Sequence, residues 1–292
     1  MPTATLHDGS TIDIEVHGTG PTLLLPVNPR PVEGPQADEM RKVGADPALG
    51  RSLIDGLSGR LRVAAFDYEG HVLAAPKPGT LTPANLAADL LAVADAVGAE
   101  RFAYYGYSWL GLSGLQLAIR TDRLSALVMG GFPPIDGPYE EMLRVTAATH
   151  AMATAPTAPT PTATGGDGGA KADAGWADSG EIDWSSVEMT MSPAQTQQFL
   201  TLYEALRGFD DVAAQPRVTC PRLCVAGSAD QIDYEERWGG VRVDIGGPLV
   251  RRRAELERLG WDVAVLDGLD HMRAMQAEHV LPILRPWLAA HV

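Results

Sequence analysis

The chain has 292 residues, 45% of them apolar, and carries 37 acidic against 23 basic side chains for a formal net charge of −14 at pH 7. That length and apolar content suit a globular chain with one large domain, or one domain with an insertion. The acidic balance speaks against nucleic acid and anionic membrane as partners, since both need a basic face, and no apolar run approaches the roughly 20 residues of a spanning helix.

The opening stretch, MPTATLHDGS, lacks the basic start and apolar run of a secretory signal, so a cytoplasmic location is expected. TATLHDGSTIDIEVHG reads as two alternating segments joined at Asp8-Gly9, a hairpin signal. TLLLPV (Thr22 to Val27) is a short, almost wholly apolar run, as expected of a strand buried on both faces. ALGRSLIDGLS has helical spacing, and RVAAFDYEG is another buried strand ending in a turn. TPANLAADLLAVADAVGA starts with a Thr cap and a proline and stops at a glycine, which predicts a well-bounded helix. RFAYYGY then reads as strand, SWLGLSGLQLAIR as a helix apolar on most faces, and ALVMGGF as strand. Strand alternating with helix predicts an α/β fold with a doubly wound, mostly parallel sheet.

The alternation breaks at PPIDG. Residues from about 137 to 153 have helical spacing, and Thr154 to Gly175 is a low-complexity run of Ala, Thr, Pro and Gly. A run of that kind buries too little apolar surface to offset its ordering entropy. SPAQTQQFLTLYEALRGF is again a capped helix, PRLCVAGSAD a strand, PLVRRRAELERLG a helix, DVAVLDG a strand, and LPILRPWLAAHV a closing helix. The expected organisation is a core of residues 1–133 and 216–292. A small helical cap of residues 134–215 is inserted into it, with a flexible low-complexity loop at about 155–180. Arg251-Arg252-Arg253 precedes Glu255 and Glu257, as on a solvated helix face. Cys220 and Cys224, four apart in a stretch that reads as strand, are spaced too widely at about 3.3 Å per residue to bridge, and are expected to be reduced thiols.

A serine hydroxyl becomes a useful nucleophile when a histidine takes its proton and a carboxylate orients that histidine. In an open parallel sheet such groups collect at the carboxyl ends of the strands. Three predicted strand ends carry them: Ser108 in GYSWLG, Asp230 in GSADQID and His271 in DGLDHM. Ser108 alone also reads as a helix N-cap, a position that favours serine. Asp233 and Asp136 are further acids near strand ends, and His7, His150, His279 and His291 read as surface residues. No HExxH, zinc-spaced cysteine pair or EF-hand loop is present, and neither GxGxxG nor a Walker loop follows a strand. Neither a metal nor a cofactor is expected.

With Ser, Asp and His in this order, each after a strand, the chain resembles the α/β-hydrolase fold family over nearly its whole length. The resemblance implies Ser108 as nucleophile, His271 as general base and Asp230 as orienting carboxylate, with Asp136 as the alternative acid. It implies an oxyanion hole from the Trp109 N–H and from Asn28, in the loop after TLLLPV. The expected activity is that of a cofactor-independent serine hydrolase on a carboxylic ester, lactone or related small acyl compound. An acyltransferase, thioesterase or aminopeptidase on the same triad, or a degenerate ligand-binding member, are the alternatives. Tyr107, His71, Met142 and Trp184 are expected to line the substrate pocket. Three departures stand out: Pro26-Val27 replaces the family's His-Gly, DYEGHVLA keeps Asp67 and Gly70 without the later glycine and serine, and Leu110 takes the place of the second glycine of G-x-S-x-G.

Overall fold

The computed structural model describes residues 1–42, 44–155 and 191–292. The strands are β1 (Thr3–Thr5), β2 (Thr11–Asp13), β3 (Glu15–His17), β4 (Thr22–Leu25), β5 (Arg62–Ala65), β6 (Phe102–Tyr107), β7 (Leu124–Gly130), β8 (Arg222–Gly227), β9 (Gln231–Asp233), β10 (Arg242–Asp244) and β11 (Trp261–Leu266). The helices are α1 (Pro35–Lys42), α2 (Leu49–Leu57), α3 (Tyr68–Ala74), α4 (Pro83–Ala96), α5 (Trp109–Ala118), α6 (Tyr139–Thr154), α7 (Pro193–Glu204), α8 (Asp211–Ala214), α9 (Gly246–Arg251), α10 (Arg253–Arg258), α11 (His271–Ala274) and α12 (Ala277–His291).

Among the described residues seven strands form one sheet in the order β11-β8-β7-β6-β4-β5-β3. All neighbours run parallel except β3, which pairs antiparallel with β5. Strand pleating sends alternate side chains to opposite faces. Leu24, Ala64 and Tyr104 join one core with α4, α5 and α10. Leu23, Leu25, Val63 and Tyr105 join a second core with α2 and α12. Both faces are therefore covered, and the expected doubly wound sheet is the one that forms. The chain steps outward from β4 to β5 and then returns to add β6 on the other side of β4. That reversal opens a crevice at the carboxyl ends of β4 and β6, the place where such sheets hold ligands.

Local signals explain most element boundaries. Thr82 caps α4 through the Asn85 N–H, with Pro83 in the first turn. Ser192 and Gln195 form a reciprocal capping box at α7. Long-range contacts decide the rest. The segment expected as the second hairpin strand divides at Ile14, because β2 pairs with β1 whereas β3 pairs with β5 in the main sheet. The helix expected over PLVRRRAELERLG starts earlier and breaks at Arg252, after which Arg253 reaches the Val263 carbonyl (2.9 Å). The last helix starts at Ala277, ahead of the expected Leu281, and runs through Pro282 and Pro286. Burial of Ala277, Val280, Leu284 and Leu288 along one face overrides the two prolines. Cys220 and Cys224 are both free thiols, and Cys220 lies ahead of β8, half-buried. Among the described residues no helix is long and apolar enough to cross a membrane.

Two sets of polar contacts tie peripheral segments to the core. The ammonium of buried Lys77 pairs with Asp8 and donates to Ser10 Oγ (3.1 Å) from beneath the β1–β2 hairpin. Burial alone would raise the Asp8 carboxyl, but the hydrogen bonds from Lys77 and Ser10 outweigh it and hold the group below the usual carboxylate range. On the other side, α7 sends Gln195 Nε2 to the Leu73 carbonyl (2.7 Å) and Gln198 Nε2 to the Val72 carbonyl (2.9 Å). Gln198 Oε1 accepts from the Lys77 N–H (3.0 Å) and Thr201 Oγ1 from the Gly79 N–H (3.2 Å).

Candidate active site

The turn from β6 into α5 places Ser108 at φ 58°, ψ −132°. Among the described residues it shares a positive φ with Asp136 alone of the non-glycines. Such a conformation costs roughly 1–3 kcal/mol and persists where the surroundings over-determine it. Here the Ser108 N–H donates to the Gly130 carbonyl (2.8 Å), and the Ser108 carbonyl accepts from the Gly111 N–H (2.8 Å). The Ser108 hydroxyl makes no capping bond to the helix it precedes, so its side chain is not used as an ordinary N-cap.

The displaced glycine is explained by where the backbones meet. A Cβ at Gly106 would lie 2.3 Å from the Leu110 carbonyl oxygen, and one at Gly111 2.6 Å from the Gly130 carbonyl oxygen. Close approach of α5 to β7 therefore occurs at Gly111, one residue later than in G-x-S-x-G. Leu110 is free to turn its side chain to the cavity wall, while its carbonyl accepts from the Tyr104 hydroxyl (2.8 Å). Gly111→Ala is expected to cost about 1–3 kcal/mol, because backbone rather than a movable side chain must give way. Chemical denaturation reads this as a lower midpoint with unchanged slope; an unchanged midpoint would refute the close-approach reading.

Asp230 and His271 follow β8 and β11, two and three strands along the sheet from β6. The Asp230 side chain is fully buried, and both of its oxygens lie 3.0 Å from His271 Nδ1. Its backbone carbonyl accepts from the Ile245 (3.0 Å) and Gly246 (2.8 Å) N–H groups. A Cβ at Gly246 would come within 2.2 Å of the Gly227 carbonyl oxygen, so glycine is required for this loop to close behind the acid. His271 opens α11, which Asp270 caps through the Arg273 N–H (2.8 Å). Asp270 thus has a local structural use. Tyr107 stands behind the imidazole: its hydroxyl donates to the His271 carbonyl (2.9 Å), and the two rings lie 5.1 Å apart, centroid to centroid.

Ser108, Trp109 and His271 border two adjoining cavities of about 440 and 270 Å³. Ser108 and His271 both line the wall shared by the two cavities, with no direct hydrogen bond between them. The larger cavity also takes in Asn28, in the loop after β4. The Val27 N–H is spent on the Leu25 carbonyl (2.9 Å), whereas the Asn28 and Trp109 N–H groups have no protein acceptor among the described residues. The smaller cavity is lined by Phe132, Pro138 and Met142, and by Phe199 and Tyr203 of α7. Trp109 meets Phe199 edge-on at 5.4 Å.

Several expected site residues stand elsewhere. His71 does not border either cavity; its Nε2 lies 2.9 Å from Ser10 Oγ, toward the N-terminal hairpin. The cause is the short helix α3, which sequence periodicity does not reveal: Glu69 and Gly70 face the larger cavity, and two residues on is about 200° around a helix. Asp136 is exposed beside Glu140 and Arg251, outside both cavities, and makes no bond to His271. Asp233 is exposed and pairs with Arg242 (3.4 Å). Trp184 and the loop at about 155–180 lie outside the described residues, apart from Ala155. Glu69, which sequence reasoning passed over, borders both cavities. Its signal was its place two residues after Asp67, at a strand end. Among the described residues no cluster of His, Cys, Asp or Glu is arranged to hold a metal ion.

No protein-family model and no curated protein sequence matches the chain. Solved structures do. The enol-lactonase from Burkholderia xenovorans LB400 is similar at 18% identity and a TM-score of 0.60, over 99% of this chain and 100% of that one. A thermophilic esterase from Thermogutta terrifontis is similar at 19% identity and a TM-score of 0.58, over 100% of this chain and 98% of that one. A carboxylesterase from Nitrososphaera gargenis follows at 18% and 0.57, over 99% and 98%. The chain has the α/β-hydrolase fold.

Proposed function

We propose that the protein is a serine hydrolase that cleaves a carboxylic ester, lactone or related small acyl compound without a cofactor. The observation that carries this reading is Ser108, held at positive φ with a hydroxyl that finds no partner among the described residues, on a cavity wall shared with a His271 paired with buried Asp230. Resemblance of the fold to a lactonase and two esterases supports it.

In this reading Ser108 Oγ bonds to the carbonyl carbon while its proton passes to His271 Nε2. Asp230 holds Nδ1 protonated and stabilises the imidazolium that forms. The oxyanion is met by the Asn28 and Trp109 N–H groups, donors already in place before charge develops. Collapse breaks the bond to the leaving oxygen, which takes the proton from His271. Water then repeats the sequence on the acyl-enzyme and releases the acid. Residues 134–215 act as the cap, with α6 and α7 covering the smaller cavity. No nucleic acid or membrane takes part.

Incubation with a fluorophosphonate should add one phosphonyl group per chain, located on Ser108 by peptide mass analysis. Absence of labelling in a protein that also turns over no small ester would refute the hydrolase reading and favour a non-catalytic binding role.

A further inference from the structure

Glu69 stands on the wall common to both cavities, beside Ser108, Trp109 and His271. Its carboxylate accepts one long bond, 3.4 Å, from Trp109 Nε1, and no ion pair reaches it among the described residues. Burial raises its pKa; the Trp109 bond offsets part of this, and Asp67 adds to it. The side chain is exposed where the two cavities meet, so it keeps its charge in contact with both water and a bound substrate.

Other carboxylates of the larger cavity are already committed. Asp46 accepts from the Ala48 N–H (2.8 Å) and the Ser52 hydroxyl (2.6 Å), and Asp67 accepts from the Gly70 N–H (2.9 Å). Arg30 borders the larger cavity but not the smaller, and forms no pair with Glu69. An uncompensated carboxylate beside the point where negative charge develops opposes an anionic or neutral substrate. A cation on the substrate reverses that sign.

We propose that Glu69 is a specificity-determining residue that selects acyl substrates bearing an ammonium group within a few bonds of the scissile carbonyl. The proposal rests on the serine hydrolase reading above. The closeness of the charge to the carbonyl follows from Glu69 lying where the two cavities meet, at Ser108, and not at the far end of either.

The test compares p-nitrophenyl 3-aminopropionate with p-nitrophenyl butyrate, which replaces the ammonium by a methyl group. Each kcat/KM is normalised to that ester's hydroxide-catalysed rate. The wild type should favour the ammonium ester by roughly two- to fivefold, the range of an exposed ion pair, and Glu69→Gln should bring the ratio to about one. A ratio unchanged by Glu69→Gln, or a wild-type preference for butyrate, overturns the proposal. If neither ester is turned over, phosphonate labelling decides the hydrolase reading, and calorimetry with Ser108→Ala decides the cation site alone. Tighter binding of 3-aminopropionamide than of butyramide, lost in Ser108→Ala/Glu69→Gln, supports it; equal binding overturns it.

Discussion

Ser108→Ala is expected to abolish turnover and phosphonate labelling while leaving the melting temperature within a few degrees of wild type. Loss of the nucleophile in a serine triad typically costs about six powers of ten in kcat. Stability should hold because the hydroxyl caps nothing, and alanine meets the same positive φ that serine already tolerates at a similar cost. Steady-state kinetics, labelling and thermal denaturation on one preparation separate the two effects. Labelling that persists in the variant would place the nucleophile elsewhere. Ser113 is a poor substitute, since it is buried and its hydroxyl donates to the Trp109 carbonyl (2.7 Å).

The second large effect concerns the acid. Asp230→Asn should lower kcat by about four powers of ten, because an amide facing Nδ1 favours the wrong imidazole tautomer. Asp136→Asn should change kcat by less than about twofold. Its side chain is exposed and outside both cavities, and asparagine accepts a positive φ as readily as aspartate does. Comparable losses in the two variants would show that His271 is oriented from β7 and not from β8.

The fold was legible because its central strands are short apolar runs buried on both faces, and nothing but a parallel sheet with two helical layers uses such runs in alternation with helices. Ser108, Asp230 and His271 were legible because each lies within five residues of the end of a parallel strand, so chain order alone pointed them to one edge of the sheet. What failed to show was whatever depended on short local geometry. Helix α3 is 7 residues long, too few to display a period, and its phase decided that Glu69 and not His71 faces the cavity. The β9–β10 hairpin escaped notice because its strands are 3 residues each and its turn relies on Gly239 and Gly240 at positive φ. Leu110 looked like a defect because the motif counts residues. The backbone instead counts approaches, and Gly111 makes the one required.

The bonds from α7 to the chain between Val72 and Gly79 set a limit on how ligands come and go. Lifting that helix as a hinged flap means breaking four hydrogen bonds together. At about 1 kcal/mol each, the raised state would hold roughly one molecule in a thousand. Traffic through the smaller cavity then falls to side chains that rotate in place, Phe199 and Met142 first among them. Entry rates should consequently track the bulk of the ligand, with little sensitivity to solvent viscosity, as for a fixed doorway whose width flickers.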